Sequence, residues 1–197
     1  EKDSFDVETS NYGYAITKYG AEMEVWRGTQ EGLDVFVVNP GIILGPGFWH
    51  ENSGKLFAMV AKETPFYTSG VTGFIGVTDV VQFLIQGMAS DIKNERFVLV
   101  SENKSFKEIL EIIAANFQKR KPFVRVSRQL GALGWRLSWL KSRLTSSAHA
   151  FTKHNARAVD KHSFYDNSKA KQFVQFDFEP MTEVISRVCK HYLQDKK

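Results

Sequence analysis

Apolar positions recur at two different periods along this chain, and the switch between them marks out alternating helices and strands. From residue 14 to 31, Tyr14, Lys18, Ala21 and Val25 fall on one stripe of a 3.6-residue repeat. Ala15, Tyr19, Met23 and Trp26 fall on a second stripe beside it. The spacing predicts one helix with two faces to cover, beginning near Asn11 or Tyr12 and ended by Gly32. Residues 33–39 form a β-branched, nearly continuous apolar run, as a buried parallel strand requires. Pro40 stops it, and Gly41, Gly45 and Gly47 then predict a flexible loop.

The same reading continues to the end of the chain. Asn52 or Ser53 is expected to cap a helix running to about Lys62; 74–77 reads as a strand, and Thr78 or Asp79 as the cap of a helix to about Ala89. Residues 96–100 read as a strand. Ser105 and Glu108 form an S-x-x-E capping box for a helix through Phe117, and 123–126 reads as a strand. Leu130, Leu133, Leu137, Leu140 and Leu144 repeat at helical spacing with Trp135 and Trp139 beside them, and further helices are expected over 147–159, 167–174 and 180–194. Strands alternating with helices indicate an α/β protein with a helix-rich C-terminal lobe, without internal repeats.

Composition narrows the class. A content of 43% hydrophobic and 24% charged residues in 197 is that of a globular domain with a sizeable core. The single cysteine, Cys189, excludes an internal disulfide. Every apolar run is too short to span a bilayer, and the charged start EKDSFDVE is not a signal peptide, so no transmembrane segment and a cytoplasmic location are expected. The net charge of +4 is uneven: between Lys119 and Lys171 thirteen Lys/Arg stand against Asp160 and Asp166 alone. Such a block suits a solvated helical face equally well as nucleic acid, anionic lipid or a phosphorylated substrate. No nucleic-acid motif accompanies it, so nucleic acid is not the expected partner.

Tyr14 and Lys18 carry the clearest chemistry. Residues four apart share a helix face. A phenol with a reference pKa of ~10 exchanges protons poorly near neutrality, and an adjacent ammonium stabilises its phenolate. The Y-x-x-x-K pattern is cheap, since chance predicts about half an occurrence in such a chain. Tyr165/Lys169 and Tyr192/Lys196 also fit it and are expected to be surface helix pairs. Context separates the first: only Tyr14 opens a helix leading through Gly32-Leu33-Asp34 into a strand that ends in Asn39-Pro40-Gly41.

The span YGYAITKYGAEMEVWRGTQEGLDVFVVNPGIILGPG closely resembles the active-site helix and following strand of the extended short-chain dehydrogenases/reductases. That group includes nucleotide-sugar epimerases and dehydratases, dihydroflavonol reductases and 3β-hydroxysteroid dehydrogenases; NPGIILGPG is more similar to the reductase branch. Gly73-Phe-Ile-Gly-Val-Thr-Asp79-Val-Val resembles the family's next strand and capping aspartate, and Tyr165-Asp-Asn-Ser-Lys-Ala-Lys171 a late family segment.

The resemblance implies the C-terminal part of a Rossmann-type parallel sheet over 1–47 and a mostly substrate-binding lobe over 48–197, with strand 96–100 returning to the sheet. It implies an NAD- or NADP-dependent oxidoreductase or epimerase acting on a small-molecule substrate, with Tyr14 as acid/base and Lys18 its partner. Both would touch the cofactor, and Pro40, Gly41, Ile42 and Ile43 would line the nicotinamide pocket. Asn39 matches a substrate-touching position, although it also suits a strand-end turn. Phe48, Trp49 and His50 follow the glycines and are candidates to face substrate, or else form a surface loop with an aromatic anchor. Homodimerisation through helix 14–31, using Tyr19, Met23 and Trp26, is expected by the same resemblance.

Other features are weighed against it. Gly41, Gly45 and Gly47 do not match G-x-G-x-x-G, and Pro46 stands where a phosphate-binding helix would begin, so the segment is expected to be a hinge. Asp79 reads as a cap before it reads as a catalyst. His149, His154 and His162 lack partners at metal-ligand spacing, and no metal is expected. The basic, amphipathic 130–144 helix suits closure of a substrate pocket, or a membrane surface. The pyrophosphate loop, ribose-reading residue and catalytic Ser/Thr of the family would lie before Tyr14, which only 13 residues precede here, so the isolated chain is expected to be inactive. A non-catalytic dinucleotide-binding sensor or scaffold, and a basic-surface binder of nucleic acid or lipid, are the alternatives.

Overall fold

A computed structural model describes residues 13–127, 160–173 and 177–196; the helices expected over 130–144 and 147–159 lie outside them. Helix α1 (Gly13–Gln30) ends in a tight turn: Gly32 has φ +91°, and the Leu33 N–H donates to the Gly28 carbonyl at 3.0 Å. Strand β1 (Phe36–Pro40) starts three residues later than the apolar run. Val35 is spent on a loop contact, exchanging hydrogen bonds with Asn94 at 2.7 and 3.3 Å, and Asp34 pairs with Lys93. β1 runs parallel to β5 (Glu95–Leu99), from Phe36 opposite Glu95 to Pro40 opposite Leu99. The side chains of Phe36 to Asn39 are half-buried rather than buried, because β5 is the one strand neighbour of β1 among the described residues.

The loop expected over Gly41, Gly45 and Gly47 is a strand in its first part and irregular beyond it. The Gly41 N–H donates to the Leu99 carbonyl at 2.9 Å, and β2 (Ile42–Leu44) then runs parallel to β4 (Val71–Gly76). Glycine here serves close approach, not flexibility: a Cβ on Gly41 would collide with the Gly73 carbonyl, and one on Gly73 with the Val100 side chain. Among these glycines, Gly47 (φ +125°) does turn the chain. β4 also pairs antiparallel with β6 (Glu102–Ser105), whose polar ENKS sequence offers no apolar alternation to read. Between β2 and β4 along the chain lies β3 (Phe66–Tyr67), two residues parallel to β7 (Val124–Arg125), which is shorter than the 123–126 expected.

Strand β4 divides two cores. Phe74 faces α2 (Gly54–Ala61), α4 (Phe106–Phe117) and α6 (Met181–Asp195), where Leu44, Phe57, Ile109, Ile113, Met181 and Ile185 are fully buried. Ile75 faces α3 (Val77–Met88) and α5 (Ser168–Phe173). There Phe36, Phe83, Phe97 and Phe173 cluster with ring centroids 5.1–5.7 Å apart. Each fully buried side chain of these cores, such as Phe74, Ile75 or Phe83, stabilises the fold by about 1.5–3 kcal/mol.

Local capping agrees with expectation at one helix and departs from it at two. Glu108 N–H donates to Ser105 Oγ at 3.2 Å and Ser105 N–H to Glu108 Oε2 at 2.8 Å, the reciprocal pair of a capping box. Ser53 stands at the N-cap of α2, but its hydroxyl donates to the Ile43 carbonyl at 2.7 Å and ties the helix to β2. The N-cap of α3 is Gly76, neither Thr78 nor Asp79. Tyr192, expected on a surface, is buried because it shares the inner stripe of α6 with Met181, Val184, Ile185, Val188 and Cys189, edge-on to Trp49 at 4.9 Å. Burial pushes the Cys189 thiol up to about 12, which makes it an inert packing group.

Gly41→Ala is expected to cost about 1–3 kcal/mol, because the methyl meets backbone that cannot yield. Chemical denaturation measures it; an unchanged midpoint would contradict the close-approach reading.

Candidate functional site

Tyr14 and Lys18 lie one turn apart at the start of α1. Tyr14 is 64% exposed, and Lys18 is exposed with no ion pair among the described residues. No residue of α1 is buried, yet Ala15, Tyr19, Glu22, Trp26 and Thr29 are half-buried at helical spacing, so this stripe faces the rest of the chain. The stripe of Tyr14, Lys18, Ala21 and Val25 stays open.

The helix is held by Glu22. Its Oε1 accepts from Arg96 Nη1 of β5 at 3.1 Å and from Trp26 Nε1 at 3.3 Å, and its Oε2 accepts from Asn39 Nδ2 of β1 at 3.3 Å. Burial opposes the charge on Glu22, but these three hydrogen bonds and the Arg96 guanidinium outweigh it and hold the carboxyl below its ordinary value. Asn39, expected at the substrate, thus directs its amide to Glu22. Neither Glu22 nor Arg96 was singled out by the sequence. The one local signal is that Glu22 stands four residues after Lys18, while its partners Asn39 and Arg96 are 17 and 74 residues away.

Pro40 is exposed and Gly41 half-buried at the carboxyl end of a parallel strand, where open α/β sheets receive their ligands. Ile42 and Ile43 are half-buried, and they pack against the two cores on opposite faces of β2. Phe48 and Trp49 part company: Phe48 is 83% exposed, whereas Trp49 is 7% exposed and donates through Nε1 to Asp195 Oδ2 at 2.9 Å. His50 is exposed.

Asp79, 4% exposed, accepts the Glu179 N–H at 3.0 Å, and Glu179 is gripped by both Arg187 nitrogens at 2.6 and 2.5 Å. Asp79 therefore fastens the segment before α6 to α3. Burial pushes its carboxyl up, and the nearby Glu179 charge adds to this against the hydrogen bond and Arg187.

The second Y-x-x-x-K pair is also accounted for by packing. The Tyr165 backbone exchanges hydrogen bonds with the Asn103 side chain, and Lys169 pairs with Glu95 at 2.7 Å. In the described part of the basic stretch, Lys119 meets Glu63 and Arg125 meets Asp160. Among the described residues no cluster of His, Cys, Asp or Glu has the makings of a metal site, and no helix is long and apolar enough to cross a membrane. His149 and His154 lie outside them.

No family model matches the chain. It is 31% identical over 106 residues to tetraketide alpha-pyrone reductase 2 of Arabidopsis thaliana, a match covering 52% of this chain and 32% of that protein. It is 29% identical over 112 residues to a putative dihydroflavonol 4-reductase of Synechocystis, covering 53% and 32%. A nucleoside-diphosphate-sugar epimerase of Pseudomonas aeruginosa shares the fold with TM-score 0.74 and 17% identity, over 98% of this chain and 59% of that one. A dTDP-glucose 4,6-dehydratase of Bacillus anthracis, solved with NAD, does so with TM-score 0.68 and 15% identity, over 100% and 58%. Over about half its length the chain is thus similar to two proteins named as reductases. It spans less than two thirds of the length of each of these four proteins. The α/β architecture with parallel strands is that of the epimerase/dehydratase fold.

Asp79→Ala is expected to cost about 1–3 kcal/mol by leaving the Glu179 N–H unsatisfied. Asp79→Asn keeps an acceptor and removes the buried charge. Because the folded-state pKa is raised, the Asp79 contribution is full below its unfolded value and is lost as pH rises through the folded one. The Asp79→Asn variant should therefore gain stability relative to the parent from about pH 4 to 7, measured by denaturation at both pH values. A constant difference would contradict this.

Proposed function

We propose that the protein is an NAD(P)-dependent oxidoreductase of the reductase type, in which Tyr14 handles the proton at a carbonyl or carbinol oxygen. The observation that carries this reading is the pairing of an exposed Tyr14 with an exposed Lys18 free of ion pairs among the described residues, on a helix clamped beside the carboxyl end of β1. The reductase names of both curated relatives favour reduction over sugar epimerisation.

The residues present fit a nicotinamide cofactor. Lys18 is available to a ribose hydroxyl, and Pro40 and Gly41 give a backbone surface without large side chains at the end of a parallel strand. Ile42 and Ile43 continue the strand from there with their side chains turned to opposite cores, so only their backbone would face the cofactor. When bound, the cofactor supplies or accepts a hydride at the substrate carbon. Tyr14 donates its phenolic proton to the oxygen during reduction and takes it back during oxidation, and the Lys18 ammonium stabilises the phenolate left behind. Phe48 and His50, exposed beyond β2, are candidates to meet the substrate. A homodimer through α1 would draw on Met23, since Tyr19 and Trp26 are half-buried within the chain.

Tyr14→Phe in the intact protein is expected to lower carbonyl-dependent NAD(P)H oxidation by at least about 100-fold while cofactor affinity changes little. Absorbance at 340 nm and cofactor titration measure the two. Unchanged turnover would contradict the role given to Tyr14, and no turnover in the intact parent would favour a non-catalytic dinucleotide-binding role.

A further inference from the structure

Glu22 poses an electrostatic problem for any chemistry that uses Lys18. A carboxylate four residues from a lysine on a helix is placed to pair with it, and such a pair would cancel the charge offered to Tyr14. The structure shows the opposite arrangement. Both Glu22 oxygens are turned to β1 and β5, Oε1 to Arg96 and Trp26 and Oε2 to Asn39, and no ion pair of Lys18 appears among the described residues. The Arg96–Glu22 pair is partly shielded, with side chains 32% and 18% exposed.

From this geometry, and resting on the role of Tyr14 proposed above, we infer that Arg96 and Asn39 are positioning residues that hold Glu22 away from Lys18. Asn39 thereby serves the active-site helix rather than the substrate. The clamp does two things at once. It docks α1, which buries no residue, against the ends of both strands. It also pairs the one helix carboxylate within a turn of Lys18 with a permanent cation, so that the lysine charge stays available at Tyr14.

Among the described residues, the charged groups around Glu22 are few. β5 brings Arg96, β1 brings only the Asn39 amide, and α1 brings Lys18 one turn away. Farther along the helix Arg27 is taken up by Glu24 and Glu31. On the opposite face of β5, Glu95 is taken up by Lys169.

The test follows the ionisation of Tyr14 by ring-¹³C tyrosine NMR on the 197-residue chain, with the signal assigned through Tyr14→Phe. Arg96→Met should release Glu22 to Lys18 and raise the Tyr14 titration midpoint by about 0.3 pH unit. Arg96→Met combined with Glu22→Gln should return it to the parent value, and Arg96→Lys should leave it near there. A merely structural role for Arg96 predicts no such return. An unshifted Arg96→Met, or a double variant shifted as far as the single, would overturn the inference. If Arg96→Met does not fold, Arg96→Gln decides, since it keeps a donor to Glu22 but removes the cation: the midpoint should rise in the same direction, and an unchanged one overturns the clamp. The readout needs no substrate, so an absent shift counts against the clamp even if Tyr14 is catalytic. An inactive intact protein counts against the catalytic reading without touching the clamp.

Discussion

Everything in this structure turns on one close crossing of backbone, where Gly41 lies on the Gly73 carbonyl and Gly73 lies under Val100. The chain leaves the β1–β5 pair at Gly41 and enters the β2–β4–β6 sheet at once, while Leu99 and Phe74 accept from the Gly41 and Ser101 N–H groups on either side. No side chain fits there. Because the crossing is tight, the carboxyl end of β1 sits at a defined place relative to both cores. Pro40 and Gly41 are presented at an edge instead of trailing in a loop.

Helix α1 is fixed to that edge by polar contacts, not by a core. Apolar burial sets β2, β4 and the helices behind them, with Phe74 and Ile75 pointing to opposite sides. α1 has no buried residue, and its orientation depends on Glu22 bridging Arg96, Asn39 and Trp26. A part-shielded carboxylate with a guanidinium and two neutral donors is a directional device: it sets rotation about the helix axis, which apolar contact alone sets poorly. Rotation is what decides where Tyr14 and Lys18 point.

What was legible in the sequence was local. The Ser105–Glu108 capping box, the α1 boundaries, the β5 run and the Tyr14/Lys18 spacing depend on neighbours within a few residues. The failures share one cause. Gly41 carries the composition of a loop, and only the Gly73 backbone it meets across the fold shows that it belongs to a strand junction. The ENKS strand is polar because it lies at a half-exposed sheet edge. Ser53 has the residue type of a side-chain cap but spends its hydroxyl on Ile43, and Trp49 follows an exposed Phe48 yet fills a core against Phe57 and Tyr192. Glu22 could be suspected from its offset to Lys18, but its partners come from two strands far along the chain.

The most direct measurement is a crystal structure of the intact protein with NADPH. Tyr14 and Lys18 acting with a nicotinamide cofactor require the ring to lie along Pro40–Ile43 with a ribose hydroxyl on Lys18 and the Tyr14 hydroxyl open to the substrate side. A cofactor bound elsewhere, or bound with Tyr14 turned away from the nicotinamide, would contradict it.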